Sequence, residues 1–283
     1  MEPPADLEFY LTQGPLTELP EIGEVLDDIP DDVPSIAKVV QGLMLHIYWA
    51  NRYGEPLTEK RKHEVNIRSV KEKITQLMEK DPAPLIQPRA LADRLVGNCR
   101  DFSLLFVSLL RLKGYAARAR CGFSTYFERG KFVDHWVGEY WDTTTGRWKL
   151  VDSQLDDFQQ KKLRLDFDPL DVPRDRFIVG GQAWRMCCSK EQDPRKFGIL
   201  QWHGMEFILG DLQRDLLAFN KIELLPWDVW GLLGKSISYL KPEEVGLLDK
   251  IALFTLTPDT STALLRGIYA SNPVFHPPAA WLG

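Results

Sequence analysis

The cysteine at position 99 has the residue type and the sequence setting that best suit covalent chemistry. An apolar run follows it to Leu112 and is closed by Gly114, which is typical of a buried helix. Asn98 is a good N-cap, so Cys99 takes the first helical position, where the helix dipole and the free backbone N–H groups favour a thiolate and lower the pKa of the thiol. Cys99 is therefore a candidate nucleophile, and a small buried thiol without a chemical role is the alternative.

A nucleophilic cysteine needs a base and a group that orients the base, and two neighbouring predicted strands supply them. His135 and Asp152 each lie in a segment of alternating apolar residues, and the segment between them has turn composition. If the hairpin is centred between Thr143 and Thr144, His135 stands directly opposite Asp152, with Cβ atoms about 4.5–5.5 Å apart. The sequence therefore predicts a triad of Cys99, His135 and Asp152.

Helices are predicted on both sides of this stretch. Apolar residues at helical spacing favour a first helix from Ser35 to near Gly54 and a second helix that begins at Thr58. Further along the chain the pattern is mostly helical, with residues 211–217 and 242–253 as the candidates. Residues 97–152 themselves are predicted as one helix followed by three strands.

Composition excludes several classes of protein. With 283 residues, 44% of them hydrophobic, and a mean hydropathy of −0.24, the chain is predicted to be soluble and globular. It has no signal-like N-terminus, long apolar run or basic stripe, so we expect a cytoplasmic protein that binds neither membranes nor nucleic acid. The four cysteines form no CxxC pair, so they are predicted to be reduced thiols, with no bound metal and no cofactor. They are Cys99, Cys121, Cys187 and Cys188.

Four motifs, in this order, resemble the core of the transglutaminase-like superfamily. They are Gly97–Phe102, Gly114–Gly122, Asp134–Glu139 and Trp148–Asp152. The resemblance covers roughly residues 95–155. It implies a papain-like α+β fold in which a buried helix opened by Cys99 packs on an antiparallel sheet that carries His135 and Asp152.

The resemblance also implies a reaction. Cys99 would attack the carbonyl of a peptide, protein or peptide-like amide, His135 would act as general base and acid, and Asp152 would orient His135. Water or an amine would then resolve the thioester, and the sequence leaves open which of them does so. The backbone N–H of Cys99 would hold the oxyanion together with a second donor from upstream. The candidates for that donor are Trp49, Asn51, His63 and Gln87.

The sequence departs from the family pattern close to the predicted site. Ala116 stands where the family often has proline, and Trp136 follows the histidine directly, where the family usually has a small or aliphatic residue. Trp136 would narrow the site, so the substrate stays open. Two other functions are kept as alternatives, a non-catalytic scaffold that binds a protein partner and a cysteine protease or glycan amidase. The glycan-cleaving relatives usually carry zinc-binding CxxC pairs, which this chain lacks.

Charge sets the N-terminal segment apart. Residues 1–37 hold ten acidic residues and no Lys or Arg, whereas the remainder has 35 basic against 30 acidic residues. We divide the chain into an acidic, proline-rich leader (1–34), a transglutaminase-like core with N-terminal helices (35–180) and a mostly helical extension packed on that core (181–283). The leader is expected to be a solvated arm; binding a partner or packing on the body are the alternatives. The oligomeric state is left open.

Overall fold

Helices flank a group of strands in the middle of the chain. The computed structural model describes residues 6–21 and 23–282, apart from the side chains of residues 23, 24 and 258–260. The α-helices are α1 (Leu7–Leu11), α2 (Val33–Leu43), α3 (Glu59–Lys62), α4 (Val70–Lys80), α5 (Cys99–Leu112), α6 (Asp157–Leu163), α7 (Gly180–Cys188), α8 (Met205–Phe219), α9 (Pro242–Leu256) and α10 (Pro258–Ser271). The strands are β1 (Met44–His46), β2 (Leu95–Gly97), β3 (Ala117–Ser124), β4 (Phe132–Asp142), β5 (Arg147–Val151), β6 (Phe177–Val179), β7 (Phe197–Ile199) and β8 (Trp202–His203).

Over the described residues the main sheet has six strands, centred on the β3–β4 pair. Its order is β6-β3-β4-β7-β8, and β5 pairs with the far end of β4. All of its pairs are antiparallel except β4–β7, and β1 and β2 form a separate parallel pair. This mixture of helices and a largely antiparallel sheet confirms the predicted α+β class.

Helix α5 is the buried helix that the sequence predicts. The side chain of Asn98 accepts a hydrogen bond from the backbone N–H of Asp101, and the Asp101 carboxylate accepts one from the backbone N–H of Asn98. This reciprocal cap at Asn98 fixes the start of the helix at Cys99. Gly138 on β4 lets the helix lie close to the sheet, because a Cβ atom there would stand 2.6 Å from the Phe106 ring.

The predicted first helix is too long. Helix α2 ends at Leu43, and the next three residues form β1, which pairs in parallel with β2. Its N-cap is Asp32, whose carboxylate accepts a hydrogen bond from the backbone N–H of Ser35. An apolar run this short suits a helix or a strand equally well, so the long-range partner decides its conformation.

The second predicted helix is divided in two. Thr58 caps α3 as expected, but α3 ends at Lys62, and α4 begins only after Ser69, which forms its own capping box with Glu72. The two predicted helices nearer the C-terminus are confirmed, since residues 211–217 lie within α8 and residues 242–253 within α9.

The N-terminal segment packs against the body over the part that the structure describes. Tyr10 is 1% exposed, and its hydroxyl donates to the backbone carbonyl of Phe219 at the end of α8, over 3.0 Å. Lys221 donates to the backbone carbonyl of Phe9 at 2.8 Å, and Leu16 is buried as well. A solvated arm is therefore wrong for these residues, because their aromatic and aliphatic side chains join the core.

The chain beyond residue 180 packs on the sheet through α8. Helices α7, α8 and α9 contact one another, and α8 and α7 lie against β3. One apolar core runs from Tyr10 to Phe275, so it includes side chains from all three predicted divisions of the chain. Among the residues described, none of the helices combines the length and the apolar character that crossing a bilayer requires.

Candidate active site

His135 and Asp152 form a direct, buried hydrogen bond. The distance between Nε2 of His135 and Oδ2 of Asp152 is 2.7 Å, and each residue is only 1% exposed. The same Oδ2 accepts from the Tyr126 hydroxyl at 2.6 Å, and Oδ1 accepts from the backbone N–H of Gln154 at 3.2 Å. A proton on Nε2 satisfies the bond to Asp152 and leaves Nδ1 with a free lone pair, which is the arrangement a general base needs.

The hairpin that brings the two residues together has a register different from the predicted one. The strands close at the pair Asp142–Arg147, so His135 does not stand directly opposite Asp152 and that prediction is wrong by two residues. Strand β5 ends at Val151, and the carboxylate of Asp152 reaches His135 from just beyond it. An even shift keeps each side chain on its own face of the sheet, so the predicted contact survives the wrong register.

Aromatic side chains enclose the His135 ring. The rings of Tyr126 and Phe127 meet it edge-on, with centroids 5.9 Å and 4.9 Å away, and Phe177 does so at 6.4 Å. Burial and the neighbouring charge of Asp152 raise the pKa of Tyr126 well above its ordinary value, so its hydroxyl stays protonated and donates. Sequence reasoning missed Tyr126 and Phe127, because nothing local shows that the end of the β3–β4 hairpin folds over the histidine.

Cys99 begins α5 with its sulfur against the backbone of β4. Burial raises the pKa of its thiol well above the ordinary value, and the charges of Asp134 and Asp152 add to this, while the backbone N–H of Trp136 lowers it. The predicted low pKa is therefore wrong for this state, because loss of hydration outweighs the helix N-terminus. No hydrogen bond joins the sulfur to His135 in the part of the chain that the structure describes, and the resting thiol is protonated.

One comparison with known proteins gives a match. Residues 50–153, a little over a third of the chain, match the family model described as the transglutaminase-like superfamily. The chain contains a transglutaminase-like domain. The matched segment carries all three predicted triad residues and strands β2 to β5. No curated protein matches the chain, and no solved structure does.

A second histidine lies close to Cys99, just outside the segment matched to the transglutaminase-like family. Pairing of β1 with β2 places His46 opposite Gly97, two residues before Cys99, and its ring centroid is 6.2 Å from that of Phe102 in the first turn of α5. Nδ1 of His46 accepts the backbone N–H of Tyr48 at 3.2 Å. Burial and the nearby His135 lower the pKa of His46 to about 3. The imidazole is therefore neutral, with its proton on Nε2.

The predicted first helix, from Ser35 to near Gly54, includes position 46, so the sequence gives no sign that His46 stands opposite Gly97. The four residues that the sequence offers as oxyanion donors lie elsewhere around the transglutaminase-like domain. Trp49 is buried under the guanidinium of Arg52, 4.4 Å from its ring, whereas the other three candidates are exposed. Among the described residues, none of the four makes a hydrogen bond or a ring contact with the triad.

Proposed function

We propose that the protein is a cysteine enzyme that transfers or hydrolyses the acyl group of an amide. Cys99 is the nucleophile, His135 the general base and acid, and Asp152 the orienting carboxylate. The observation that carries this proposal is the buried 2.7 Å bond between His135 and Asp152, on the strand whose next backbone N–H faces the Cys99 sulfur. Nucleophile, base and orienter in one site are the parts that acyl transfer needs.

The first half of the reaction forms a thioester. Nδ1 of His135 takes the thiol proton as the Cys99 sulfur attacks the carbonyl carbon, and the carbonyl π electrons move to oxygen. The backbone N–H of Cys99 and Nε2–H of His46 donate to this oxyanion. The C–N bond then breaks while His135 returns its proton to the departing amine.

The second half releases the acyl group. Water or an amine gives a proton to His135 while its oxygen or nitrogen attacks the thioester carbon. The C–S bond breaks, and Cys99 leaves as a thiolate that regains the proton. The tight hydrogen bonds to Asp152 keep the His135 ring in one orientation through both halves. The substrate class we propose is a peptide, a protein or a peptide-like amide.

A Cys99 thiol that is protonated before substrate binds is compatible with this reaction. A buried thiol loses its proton readily only when a base is in contact, and catalytic hydrogen bonds often tighten only when substrate is bound. A substrate that fills the space around Cys99 would bring its sulfur against His135. A free reactive thiol also requires reducing surroundings, which is why we expect the cytoplasm.

Acyl-enzyme trapping tests the proposal. The protein is incubated with p-nitrophenyl acetate, and the acylated residue is identified by intact mass and peptide mapping. We expect a burst of p-nitrophenolate and one acetyl group on Cys99. Acylation should disappear in Cys99→Ala and fall about 10²-fold or more in His135→Gln.

Cys187→Ala is the matched control for the trapping experiment, because Cys187 is also a buried thiol. It should leave the burst unchanged. Acetylation that favours the exposed Cys188, or that is as fast in His135→Gln as in the natural protein, would contradict the proposed enzyme.

A non-catalytic scaffold is the second candidate function. The observations that favour it are the raised pKa of Cys99 and the missing bond from its sulfur to His135. Hydroxylamine separates the enzyme from the scaffold, since it captures a thioester as a hydroxamate. With peptide amides as substrates, hydroxamate formation indicates an acyl-enzyme, and absence of both hydroxamate and free acid supports the scaffold. Products formed without hydroxylamine but with an alkyl amine present then separate the two reactions, because an amide of that amine indicates acyl transfer and free acid alone indicates a hydrolase.

A further inference from the structure

A second cluster of chemically capable side chains lies outside the triad. Cys121 on β3, Asp134 on β4 and Asp211 on α8 each direct one ligand atom to the same place, and the sulfur and the two carboxylate oxygens lie within 4.8 Å of one another. Their exposed fractions are 0%, 8% and 1%. Two adjacent strands and a helix distant from them in sequence therefore converge on one buried point.

Each of the two carboxylates in this cluster has one buried oxygen without a hydrogen-bond partner among the described residues, Oδ1 of Asp134 and Oδ2 of Asp211. Within the cluster, Asp211 is hydrogen-bonded to Asp134 and to Cys121. The nearest paired cation is Arg214, whose Nη1 is 3.6 Å from Oδ1 of Asp211. Its Nη2 is engaged elsewhere, with the backbone carbonyls of Pro226 and Asp228. Buried carboxylate oxygens without partners are costly, so their retention in the interior points to a missing positive partner.

We propose that Cys121, Asp134 and Asp211 bind a divalent transition-metal ion, with zinc as the best match. One thiolate and two carboxylates carry three negative charges, which Zn²⁺ and Arg214 together neutralise. Sulfur and carboxylate oxygen are both zinc ligands, and a water molecule would complete a tetrahedral site. Calcium and magnesium are disfavoured because they bind through six or more oxygen ligands and avoid sulfur.

The geometry requires little adjustment. Zinc bonds of about 2.0–2.3 Å place tetrahedral ligand atoms about 3.3–3.8 Å apart. Small side-chain rotations close a spread of 4.8 Å to that range. On binding, the proton of the Cys121 thiol and any proton held by the carboxylates are released to solvent. Because no two of the ligands are close in sequence, cysteine spacing predicted no metal.

The proposed ion would join α8 to the sheet next to the triad. Asp134 directly precedes His135, and Cys121 stands opposite Trp136 in the β3–β4 pair. The ion would therefore fix the C-terminal part of the chain to the strand that carries the general base. Its role would be structural and does not depend on the proposed reaction.

Metal analysis of the full-length protein tests this site. The protein is produced in zinc-containing medium and desalted, and its zinc content is measured by inductively coupled plasma mass spectrometry. We expect about one zinc per chain. Cys121→Ser and Asp211→Asn should each lose it, with circular dichroism confirming that the variants fold. Cys99→Ala and Cys187→Ser should keep it, which excludes binding at the proposed nucleophile or at another buried thiol.

Substitution with Co²⁺ identifies a thiolate ligand by absorption spectroscopy in the natural protein. Stripped protein refilled with Co²⁺ should show a near-ultraviolet charge-transfer band from a thiolate ligand, absent in Cys121→Ser and retained in Cys99→Ala. Natural protein that holds no zinc and gives no such band would overturn the proposal. The two carboxyl groups would then share a proton. Because this reading uses the natural chain, a variant that fails to fold leaves the proposal testable.

Discussion

Two buried carboxylates lie one helical turn apart on α8 and differ sharply in their hydrogen-bond and ion-pair partners. Asp215 accepts two hydrogen bonds from Arg120, both at 2.9 Å, and a third from the backbone N–H of Cys121 at 3.0 Å. Asp211 has no such bidentate partner among the described residues: its ion pair is a 3.6 Å contact with Arg214, and its other neighbours are Cys121 and Asp134. Both side chains are almost fully buried, so burial alone does not distinguish them. Asp215, with its bidentate partner, holds the fold together, and Asp211 is one of the three ligands of the proposed ion.

The same contrast runs along strands β3 and β4. Glu139 receives Arg118 at 2.7 Å and Arg174 at 2.6 Å, and Arg120 approaches it at 3.3 Å. Burial alone would raise the pKa of Glu139, but the three arginines outweigh it and hold that pKa well below its usual range. Arg118 and Arg120 therefore serve as the buried partners of Glu139 and Asp215. A buried group with such partners is best understood as structural.

The largest expected effect comes from removing a buried carboxylate that is paired with arginines, that of Glu139. Glu139→Gln leaves Arg118 buried without its carboxylate and leaves Arg120 with Asp215 as its remaining carboxylate, and we expect it to lower the free energy of unfolding by about 3–5 kcal/mol. Urea unfolding measures the change. The control is Arg174→Ala, which removes the half-exposed member of the same cluster and should cost about 1 kcal/mol or less. Equal costs for the two variants would contradict the structural role of Glu139.

The same cluster predicts how stability depends on pH. The pKa of Glu139 is lower in the folded chain than its ordinary value of 4.5. Its contribution to stability is therefore complete above pH 4.5 and is lost as the pH falls towards the lower folded pKa. Thermal unfolding at a series of pH values should show this acid-side loss, and Glu139→Gln should have a flatter profile than the natural chain below pH 4.5. Parallel profiles would contradict the assignment.

The next prediction concerns His46, the buried histidine next to Cys99. No described residue accepts a hydrogen bond from its Nε2–H, which is the donor that we assign to the oxyanion. His46→Phe should slow acylation of Cys99 about 10²–10³-fold, as removal of an oxyanion donor does. His46→Gln keeps an amide donor and should recover part of that rate. His63→Phe, at an exposed histidine, is the matched control, and an equal loss there would contradict the role of His46.

The two α8 carboxylates allow a matched test of the comparison itself. Asp215→Asn removes a charge with a bidentate partner and should lower the free energy of unfolding by about 2–3 kcal/mol. Asp211→Asn, in protein stripped of metal, removes a carboxylate that repels Asp134 and should be neutral or stabilising by about 1 kcal/mol. Urea unfolding of the two stripped variants decides. A loss at Asp211 as large as that at Asp215 would remove the distinction between them.

Local signals account for the parts of the fold and site that sequence reasoning found. The capping residues of α5 and its apolar run are contiguous, so the position of Cys99 could be predicted and was. The pairing of His135 with Asp152 followed from strand parity, which an error of two residues preserves. These features need no information from distant parts of the chain.

The parts that were missed depend on tertiary contacts. Strand β1 exists because β2 pairs with it, and without that pairing His46 falls on a helix. For Cys121 the sequence predicts only a reduced thiol without a metal, because its two acidic neighbours come from other elements and no spacing links them. The pKa of Cys99 was predicted to be low from its helix position, whereas burial by the surrounding fold dominates it. In each case the deciding contact is distant in sequence.

The smallest expected effect concerns the hydroxyl of Tyr126, which is hydrogen-bonded to Asp152 inside the site. Tyr126→Phe removes one hydroxyl donor from Asp152, while the bonds from His135 and Gln154 remain. We expect acylation of Cys99 to slow about tenfold, the cost of one charge-assisted hydrogen bond. KM should stay unchanged, because the hydroxyl acts on the triad carboxylate and not on the substrate. Phe127→Leu is the control for packing against the same ring, and it should change kcat less than Tyr126→Phe. If Phe127→Leu slows the reaction more than Tyr126→Phe does, Tyr126 acts by packing against His135, and its hydroxyl does not orient the Asp152 carboxylate.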